Sequence, residues 1–146
     1  MTKIVRSRDC GNSPKNLLIE NLAVALATGD RRTAASLLTA DVQWNIVGGK
    51  VLSGREAVLQ GLEDVNSSKS IVQLTIWHAV THGKAGAVNG LVQFREATQG
   101  FCDVFEFSSA KGTSVSRITS YRINACETNP THAKKQRVIS DSIFVV

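Results

Sequence analysis

The segment Phe101–Phe107, FCDVFEF, constrains the fold more than any other part of the sequence. Successive side chains of a β-strand point to opposite faces, so Phe101, Asp103, Phe105 and Phe107 fall on one face. A face this rich in phenylalanine is expected to turn inward and to take the carboxyl group with it. Because an ionised carboxylate is costly to bury without a partner, Asp103 must be hydrogen-bonded, protonated, or beside a cavity that holds water or a ligand.

Length and composition predict one globular domain. The chain has 146 residues, of which 42% are hydrophobic and 20% are charged, which is enough for one core and too short for two comfortable ones. The net charge of +5 is mild. Its basic excess lies near the two ends of the chain, in residues 3–8 and 134–137, and not on one face of the fold.

Cysteine usage and hydropathy predict an intracellular, cytoplasmic protein. Cys10, Cys102 and Cys126 are odd in number and form no Cys-x-x-Cys spacing, which favours reduced thiols in a cytosolic setting. No apolar run follows the basic start of the chain, so we predict no secretory signal. No segment is long and apolar enough to span a bilayer, so we expect no membrane association.

Three helices are predicted in the first half of the chain. The first begins at Asn12-Ser13-Pro14, where a capping side chain precedes a proline, and ends at Gly29. The second is predicted over Arg31–Leu38 with Asp30 as its cap. The third begins at Gly54, inside a capping box, and runs to about Val65.

Strands are predicted between and after these helices. Asp41–Val47 alternates and places Val42, Trp44 and Ile46 on one face. Alternation also places His78 on the same face as the aliphatic residues of its strand. A long meander follows the third helix, with strands predicted over Ile71–His82, Ala85–Arg95, Phe101–Ser108 and Thr113–Ile123. The predicted fold class is therefore α+β, with three N-terminal helices covering one face of a curved antiparallel sheet and a pocket where the layers splay apart.

The remaining segments are predicted to lie outside the domain. Residues 1–12 form a loose N-terminal arm, residues 13–124 the domain, and residues 125–146 a C-terminal tail after a Pro130 linker. The tail ends in Ile143-Phe144-Val145-Val146, which is apolar for a free terminus. It docks on the domain, docks on a partner subunit, or is a disordered tail prone to association.

Five short segments of the chain form an ordered set: Leu22–Asp30, Asp41–Trp44, Leu52–Leu62, Asp103–Phe107 and Ser120–Ile123. Taken in this order, they resemble the NTF2-like superfamily. This cone-shaped, cystatin-like α+β fold is shared by nuclear transport factor 2, ketosteroid isomerase, polyketide cyclases of the SnoaL type and limonene epoxide hydrolase. The chain looks most similar to small bacterial members of unassigned function, over roughly residues 13–124. The fold hosts isomerases, hydrolases, cyclases and non-catalytic binders, so the resemblance does not select an activity.

The resemblance to ketosteroid isomerase implies one matching residue out of three. Asp103 is similar to the isomerase aspartic acid that donates a hydrogen bond to an oxyanion. That enzyme is a general example of an acid kept neutral by its apolar site, which raises its pKa. The tyrosine of that enzyme falls on Leu22 and its aspartate base on Ile46. Neither side chain can move a proton, which argues against this activity.

Each candidate site residue has a functional and a structural interpretation. Asp103 is a pocket acid and ligand anchor, or a carboxyl satisfied by backbone or arginine groups. Trp44 is a wall for a ligand, or core filler. His78 is a general base, or a satisfied core or interface histidine. Tyr121 lies at a pocket mouth, or packs at a dimer interface.

The sequence gives no sign of a metal or cofactor. His78 and His82 are too far apart along a strand to share one metal ion, and no third ligand stands at useful spacing. Residues 49–56 have the glycine spacing of a phosphate-binding loop but lack its lysine and Ser/Thr at the required positions. We therefore predict no metal, no nucleotide and no other cofactor.

The leading hypothesis is a homodimer whose cavity binds a small, largely apolar molecule with one carbonyl or hydroxyl. Phe101, Phe105 and Trp44 form the walls and Asp103 is the anchor, with Leu22, Ile46, His78 and Tyr121 as further lining residues. Any catalysis is expected to be acid–base chemistry of the lyase, isomerase or cyclase kind.

Two rival functions remain open. One is a non-catalytic dimeric interaction module that binds a protein through the outer face of the meander and residues 131–146. The other is contact with nucleic acid through Lys134, Lys135 and Arg137, which is disfavoured because the cluster is short and lacks interleaved aromatic residues.

Overall fold

The computed structural model describes residues 2–7, 13–68 and 70–125, and of residues 64–68 it describes only the backbone. Within these residues, three helices pack on a curved, unclosed sheet of seven strands, which confirms the α+β class. The elements in chain order are β1 (Lys3–Val5), α1 (Pro14–Thr28), α2 (Arg31–Leu37), β2 (Leu38–Ile46), β3 (Val51–Ser53), α3 (Arg55–Ser68), β4 (Ile71–His82), β5 (Ala85–Phe94), β6 (Thr98–Phe107) and β7 (Val115–Asn124).

Local sequence signals mark the end of α1 and the start of α2, but the Ser13 side chain, predicted as part of the cap of α1, forms no capping hydrogen bond. Pro14 occupies the first turn of α1, and Gly29 ends this helix in the left-handed conformation with φ of 76°. The side chain of Asp30 caps α2 by accepting a hydrogen bond from the Thr33 amide. Leu38, predicted as the last residue of α2, is extended and begins β2 instead, because it pairs with Val115 of β7.

The sheet combines the predicted meander with two parallel pairings. Its strand order is β1-β4-β5-β6-β7-β2-β3, and the neighbours from β4 to β7 are antiparallel, as expected. In contrast, β2 pairs with β7 and β1 pairs with β4 in parallel. Residues 3–5, predicted to be part of a loose arm, are therefore an edge strand. The tail beyond Ala125 lies outside the described residues, and the division of the chain into arm, domain and tail stays a prediction.

The core lies between α1, α3 and the inner face of the sheet. Ile19, Leu22 and Leu26 of α1 are buried, as are Val58 and Leu62 of α3. Burial alternates along β6, where every second residue from Phe101 to Phe107 is buried. The aromatic face of this strand is thus turned inward, as its sequence predicts.

A bulge in β4 overturns one prediction of alternation. The pairing with β5 shifts register between Ile76 and His78, and one extra residue reverses the faces of all side chains that follow. Ile76 is buried before the bulge and Ala79 after it, whereas His78 and Val80 are exposed. The face predicted for His78, shared with the aliphatic residues, is therefore wrong.

Candidate functional site

Asp103 lies in the middle of a row of residues that crosses five strands. Ala79, Val88, Asp103, Ser120 and Ile46 are successive register partners on β4, β5, β6, β7 and β2. Residues directly opposite each other in a sheet share a face. Asp103 is 1% exposed, so the position of its carboxyl group, between two phenylalanines of its own strand, is fully internal.

One oxygen of this carboxyl group has two donors. The Ser120 hydroxyl donates a hydrogen bond of 2.6 Å to Asp103 Oδ1, and Arg122 Nη1 donates one of 2.7 Å to the same oxygen. The indole Nε1 of Trp44 donates a 2.8 Å bond to Ser120 Oγ. Strand β7 therefore holds the carboxyl group directly, and strand β2 holds it indirectly, through the bond from Trp44 to the Ser120 hydroxyl.

The other oxygen of Asp103 is buried and unpaired. No group among the residues that the structure describes hydrogen-bonds Oδ2. A buried acceptor without a donor costs about 1–3 kcal/mol, so such atoms are uncommon in folded proteins. Oδ1 of Asp103 is thus satisfied within the fold by Ser120 and Arg122, whereas Oδ2 has no donor among the described residues.

Arg122 links the buried carboxyl group to the surface. Its side chain is 22% exposed, while that of Asp103 is 1% exposed. The guanidinium group lies over the Phe101 ring, 5.4 Å from the ring centroid, where a cation is attracted by the π-electrons. Arg122 therefore balances the charge of Asp103 and covers the ring of Phe101.

Sequence reasoning missed Ser120 and Arg122 as site residues. Both lie in the segment Ser120–Ile123, and alternation alone puts them on one face of β7. Their place beside Asp103 depends on the register that pairs Asp103 with Ser120 and Phe101 with Arg122. A sequence without a known register does not fix that pairing.

Five other predicted site residues lie on the inner side of the molecule. Phe105 and Leu22 are completely buried, and Trp44 and Phe101 are 4% and 6% exposed. Ile46 is partly buried and is the register partner of Ser120. Phe101 and Phe105 on the strand of Asp103, with Trp44 and Ile46 beside Ser120, give the surroundings of Asp103 an apolar character.

The structure separates His78 and Tyr121 from the carboxyl group. Both side chains are exposed on the opposite face of the sheet. His78 Nδ1 lies 3.0 Å from Asn89 Oδ1, and Tyr121 is the register partner of Cys102. These contacts are those of an outer sheet surface and not of the site around Asp103.

Cys102 is the sequence neighbour of Asp103 and responds to it electrostatically. Partial burial raises the pKa of its thiol, and the negative charge of Asp103 raises it further. The nearby Arg122 lowers this pKa in part. The thiol is consequently protonated near neutral pH, and a protonated thiol is a poor nucleophile.

The described part of the chain contains neither a metal-binding cluster nor a membrane-spanning helix. No three His, Cys, Asp or Glu side chains there are grouped so that they could hold a metal ion. No helix among the same residues has the length and apolar character needed to cross a membrane.

Comparison with known proteins establishes the fold. The sequence matches no protein-family model and no curated protein. An NTF2-like protein of unknown function from Cytophaga hutchinsonii is 22% identical, and the match covers 75% of this chain and 99% of that chain with a TM-score of 0.63. A LEH-like epoxide hydrolase from M. tuberculosis is 17% identical over 73% of this chain and 76% of its own, with a TM-score of 0.60.

A third structure has the ketosteroid isomerase-like fold. This protein from Catenulispora acidiphila, solved in complex with trimethylamine, is 14% identical and has a TM-score of 0.59. The match covers 71% of this chain and 83% of that chain. The NTF2-like fold predicted from the sequence is therefore confirmed, and identities this low carry no activity from one protein to another.

Proposed function

We propose that this chain, which has the NTF2-like fold, binds a small, largely apolar molecule at the inner face of its sheet, with Asp103 as the polar anchor. The observation that carries the proposal is the buried Oδ2 atom, for which the described residues supply no donor. A polar group of a bound molecule compensates for that loss, since a hydrogen bond to a charged acceptor contributes about 1.5–3 kcal/mol.

The apolar surroundings define the rest of the ligand. Phe101 and Phe105 flank Asp103 along β6, Trp44 reaches the site through Ser120, and Ile46 follows in the same row. Sites for small molecules are typically lined in this way, by apolar side chains around a few polar groups. A molecule with one polar group on a hydrocarbon skeleton matches this composition.

Acid–base catalysis is the narrower form of the proposal. The known neighbours include an epoxide hydrolase and a protein with a ketosteroid isomerase-like fold. In this chain Leu22 and Ile46 stand where the resemblance to the isomerase places its tyrosine and its base, and neither carries a titratable proton. For a reaction of the isomerase, cyclase or lyase kind, we assign the role of proton acceptor to Asp103.

The outer face of the sheet supports dimerisation as part of the proposal. Val80 is 58% exposed, Tyr121 46% and Ile123 71%. These side chains share the face that also carries the partly buried Val104. Exposed apolar surface of this kind favours association, and we assign it to contact between two copies of the chain. Binding of a different protein to the same face is the alternative function.

The dimer is tested by measuring the molar mass in solution. Ile123→Glu should convert a dimer to a monomer in light scattering, because it places a charge in the apolar face. Val51→Glu is the matched control, since Val51 is 61% exposed on β3 at the edge of the sheet. A wild-type chain that is monomeric throughout the accessible concentration range contradicts the homodimer and leaves the outer face to another partner.

Ligand binding is tested by titrating isotope-labelled protein with cyclohexanol, borneol and 2-tetralol. Amide shifts should concentrate on the row of Val88, Asp103 and Ser120. Asp103→Asn should weaken binding by about tenfold, whereas Glu106→Gln, which changes a carboxyl on the outer face of the same strand, should not. Shifts confined to the outer face contradict the proposal. A loss of folded structure in Asp103→Asn assigns the carboxyl group a structural role.

A further inference from the structure

We infer that the molecule bound at Asp103 is a neutral hydrogen-bond donor, namely an alcohol on an apolar skeleton, and not a ketone, an amine or an acid. The inference rests on the proposed function and specifies the substrate class of the same site. It follows from the hydrogen positions around Asp103, which the donor properties of its neighbours determine.

The first step is the orientation of the Ser120 hydroxyl group. The indole N–H of Trp44 can only donate, so Ser120 Oγ is the acceptor of the bond between them. The hydroxyl hydrogen is then directed to Asp103 Oδ1, which lies 2.6 Å away. Arg122, which also can only donate, supplies the second hydrogen to Oδ1. Neither neighbour accepts a hydrogen from Asp103.

The second step is the character of Oδ2. A carboxyl group that forms an ion pair of 2.7 Å with a guanidinium group acts as a carboxylate, and a carboxylate only accepts hydrogen bonds. Its unpaired oxygen thus requires a donor. A ketone brings a second acceptor and no hydrogen, so its oxygen would repel Oδ2. This differs from the isomerase comparison, in which a neutral aspartic acid donates to a carbonyl oxygen.

The third step is the charge of the site. The formal charges of Asp103 and Arg122 cancel, and their pairing already compensates for the burial of the carboxylate. An ammonium group would meet the guanidinium beside the carboxylate, and a ligand carboxylate would meet Asp103. Either ion would also lose its hydration in apolar surroundings. A hydroxyl group offers the required hydrogen without these costs.

The experiment compares matched molecules that differ only in their polar group. Cyclohexane, bornane and tetralin skeletons are each used as the alcohol, ketone, amine and carboxylic acid, and dissociation constants are measured from amide shifts. Each alcohol that binds should do so about tenfold more tightly than its ketone. A ketone or amine that equals its alcohol overturns the inference and leaves the proposed function intact. If no compound shifts Val88 or Ser120, the proposed function fails as well.

The variant Asp103→Asn supplies a readout that a purely structural role would not change. Ser120 and Arg122 will hold the amide oxygen at the position of Oδ1, which places the amide NH₂ at the position of Oδ2. That group donates to a ketone, and an alcohol can also accept from it. The preference for alcohol over ketone should therefore fall from about tenfold to about one. The control variant Glu106→Gln should retain the preference for alcohol over ketone. If Asp103→Asn also retains this preference, the inference is overturned.

Discussion

Ser120 and Asp103 face each other across β6 and β7, and a hydrogen bond of 2.6 Å joins them inside the protein. Ser120 also accepts a bond from Trp44, so one hydroxyl group connects three strands. The carboxyl group is therefore held by a network and not by a single ion pair. The network fixes the position of Oδ1, which has both of its donors, while Oδ2 has none among the described residues.

Replacing Ser120 with alanine should destabilise the protein. The change leaves the buried indole N–H without an acceptor and removes one of the two donors to Asp103 Oδ1. We expect the free energy of unfolding to fall by about 1–3 kcal/mol in urea denaturation. Ser116→Ala is the control, because that hydroxyl, on the same strand, donates a longer bond of 3.3 Å to the Glu106 carbonyl. Equal effects of the two substitutions would contradict the network.

The Cys102 thiol should report the charge of Asp103. Its raised pKa has burial as the main cause and the Asp103 carboxylate as the next. Replacing Asp103 with asparagine removes the second contribution, so this pKa should move down towards the ordinary thiol value of 9.0. The measurement is the pH dependence of alkylation by iodoacetamide in a chain with Cys10 and Cys126 changed to serine.

The alkylation experiment also tests the ionised state of Asp103. A carboxyl group that carried a proton would exert no such effect, and the midpoint of the alkylation curve would not move. Glu106→Gln in the same cysteine background is the control, because Glu106 is not among the groups that shift this thiol. A midpoint unchanged by Asp103→Asn would contradict the ion pair with Arg122.

The sequence predicts the inner face of β6 correctly because its signal is local. Three phenylalanines at a spacing of two residues can only be buried together, and Asp103 is carried inward with them. The α+β class was predictable for a similar reason, since helix caps and strand alternation are read within short windows. Neither prediction depends on which strands pair.

The sequence does not predict features that depend on strand pairing. Arg122 becomes a partner of Asp103 only through the register between β6 and β7, which no single strand encodes. His78 was assigned to the wrong face because one extra residue in β4 interrupts the alternation. The segment Lys3–Val5 lacks a local pattern and becomes a strand by pairing with β4. Parallel pairing of distant segments leaves no short-range signal.

The cap of α2 should make part of the stability pH-dependent. The pKa of Asp30 lies below the ordinary aspartate value of 3.8, first because the Thr33 hydroxyl donates to the carboxylate and then because the Thr33 amide does. Because the pKa of Asp30 is lower in the folded state, the ionised cap stabilises the fold fully above pH 3.8. This stabilisation is lost as the pH falls through the folded-state pKa.

Two substitutions of Asp30 separate its hydrogen bonds from its charge. Asp30→Ala should cost about 1 kcal/mol near neutral pH, because the cap is lost. Asp30→Asn should retain most of the capping hydrogen bonds, but asparagine does not titrate, so their contribution to stability no longer depends on pH. In urea denaturation, the stability difference between wild type and Asp30→Asn should shrink as the pH is lowered below 3.8. A difference that stays constant down to acid pH would contradict this assignment.

Gly90 should tolerate no side chain. A Cβ atom at this position would lie 1.8 Å from the Thr75 carbonyl oxygen, which belongs to the backbone of the neighbouring strand. Gly90→Ala must displace β4 from β5, and we expect a loss of about 1–3 kcal/mol in the free energy of unfolding. Gly100→Ala is the matched control in β6, where the nearest atom would be 3.8 Å away. Similar stabilities of the two variants would contradict this steric account.

Glu20 is a buried carboxyl group whose main partner lies on the N-terminal segment. It is 1% exposed, and its Oε2 lies 3.7 Å from Arg6 Nη1, which also donates a 2.8 Å bond to Asn21 Oδ1. Within the described ranges, nothing hydrogen-bonds its Oε1. Because removing one partner of a buried ion pair leaves an uncompensated charge, Arg6 should be important for the stability of the whole domain.

A double-mutant cycle tests the coupling between Arg6 and Glu20. Arg6→Ala should lower the free energy of unfolding by more than Lys3→Ala, an exposed change on the edge strand β1, which ends one residue before Arg6. In a Glu20→Gln background, the loss in free energy of unfolding caused by Arg6→Ala should be smaller by about 1 kcal/mol. Glutamine has no buried charge that Arg6 would need to compensate. Urea denaturation of the four chains gives the coupling energy. Additive effects would mean that Arg6 acts only through Asn21 and that Glu20 does not depend on it.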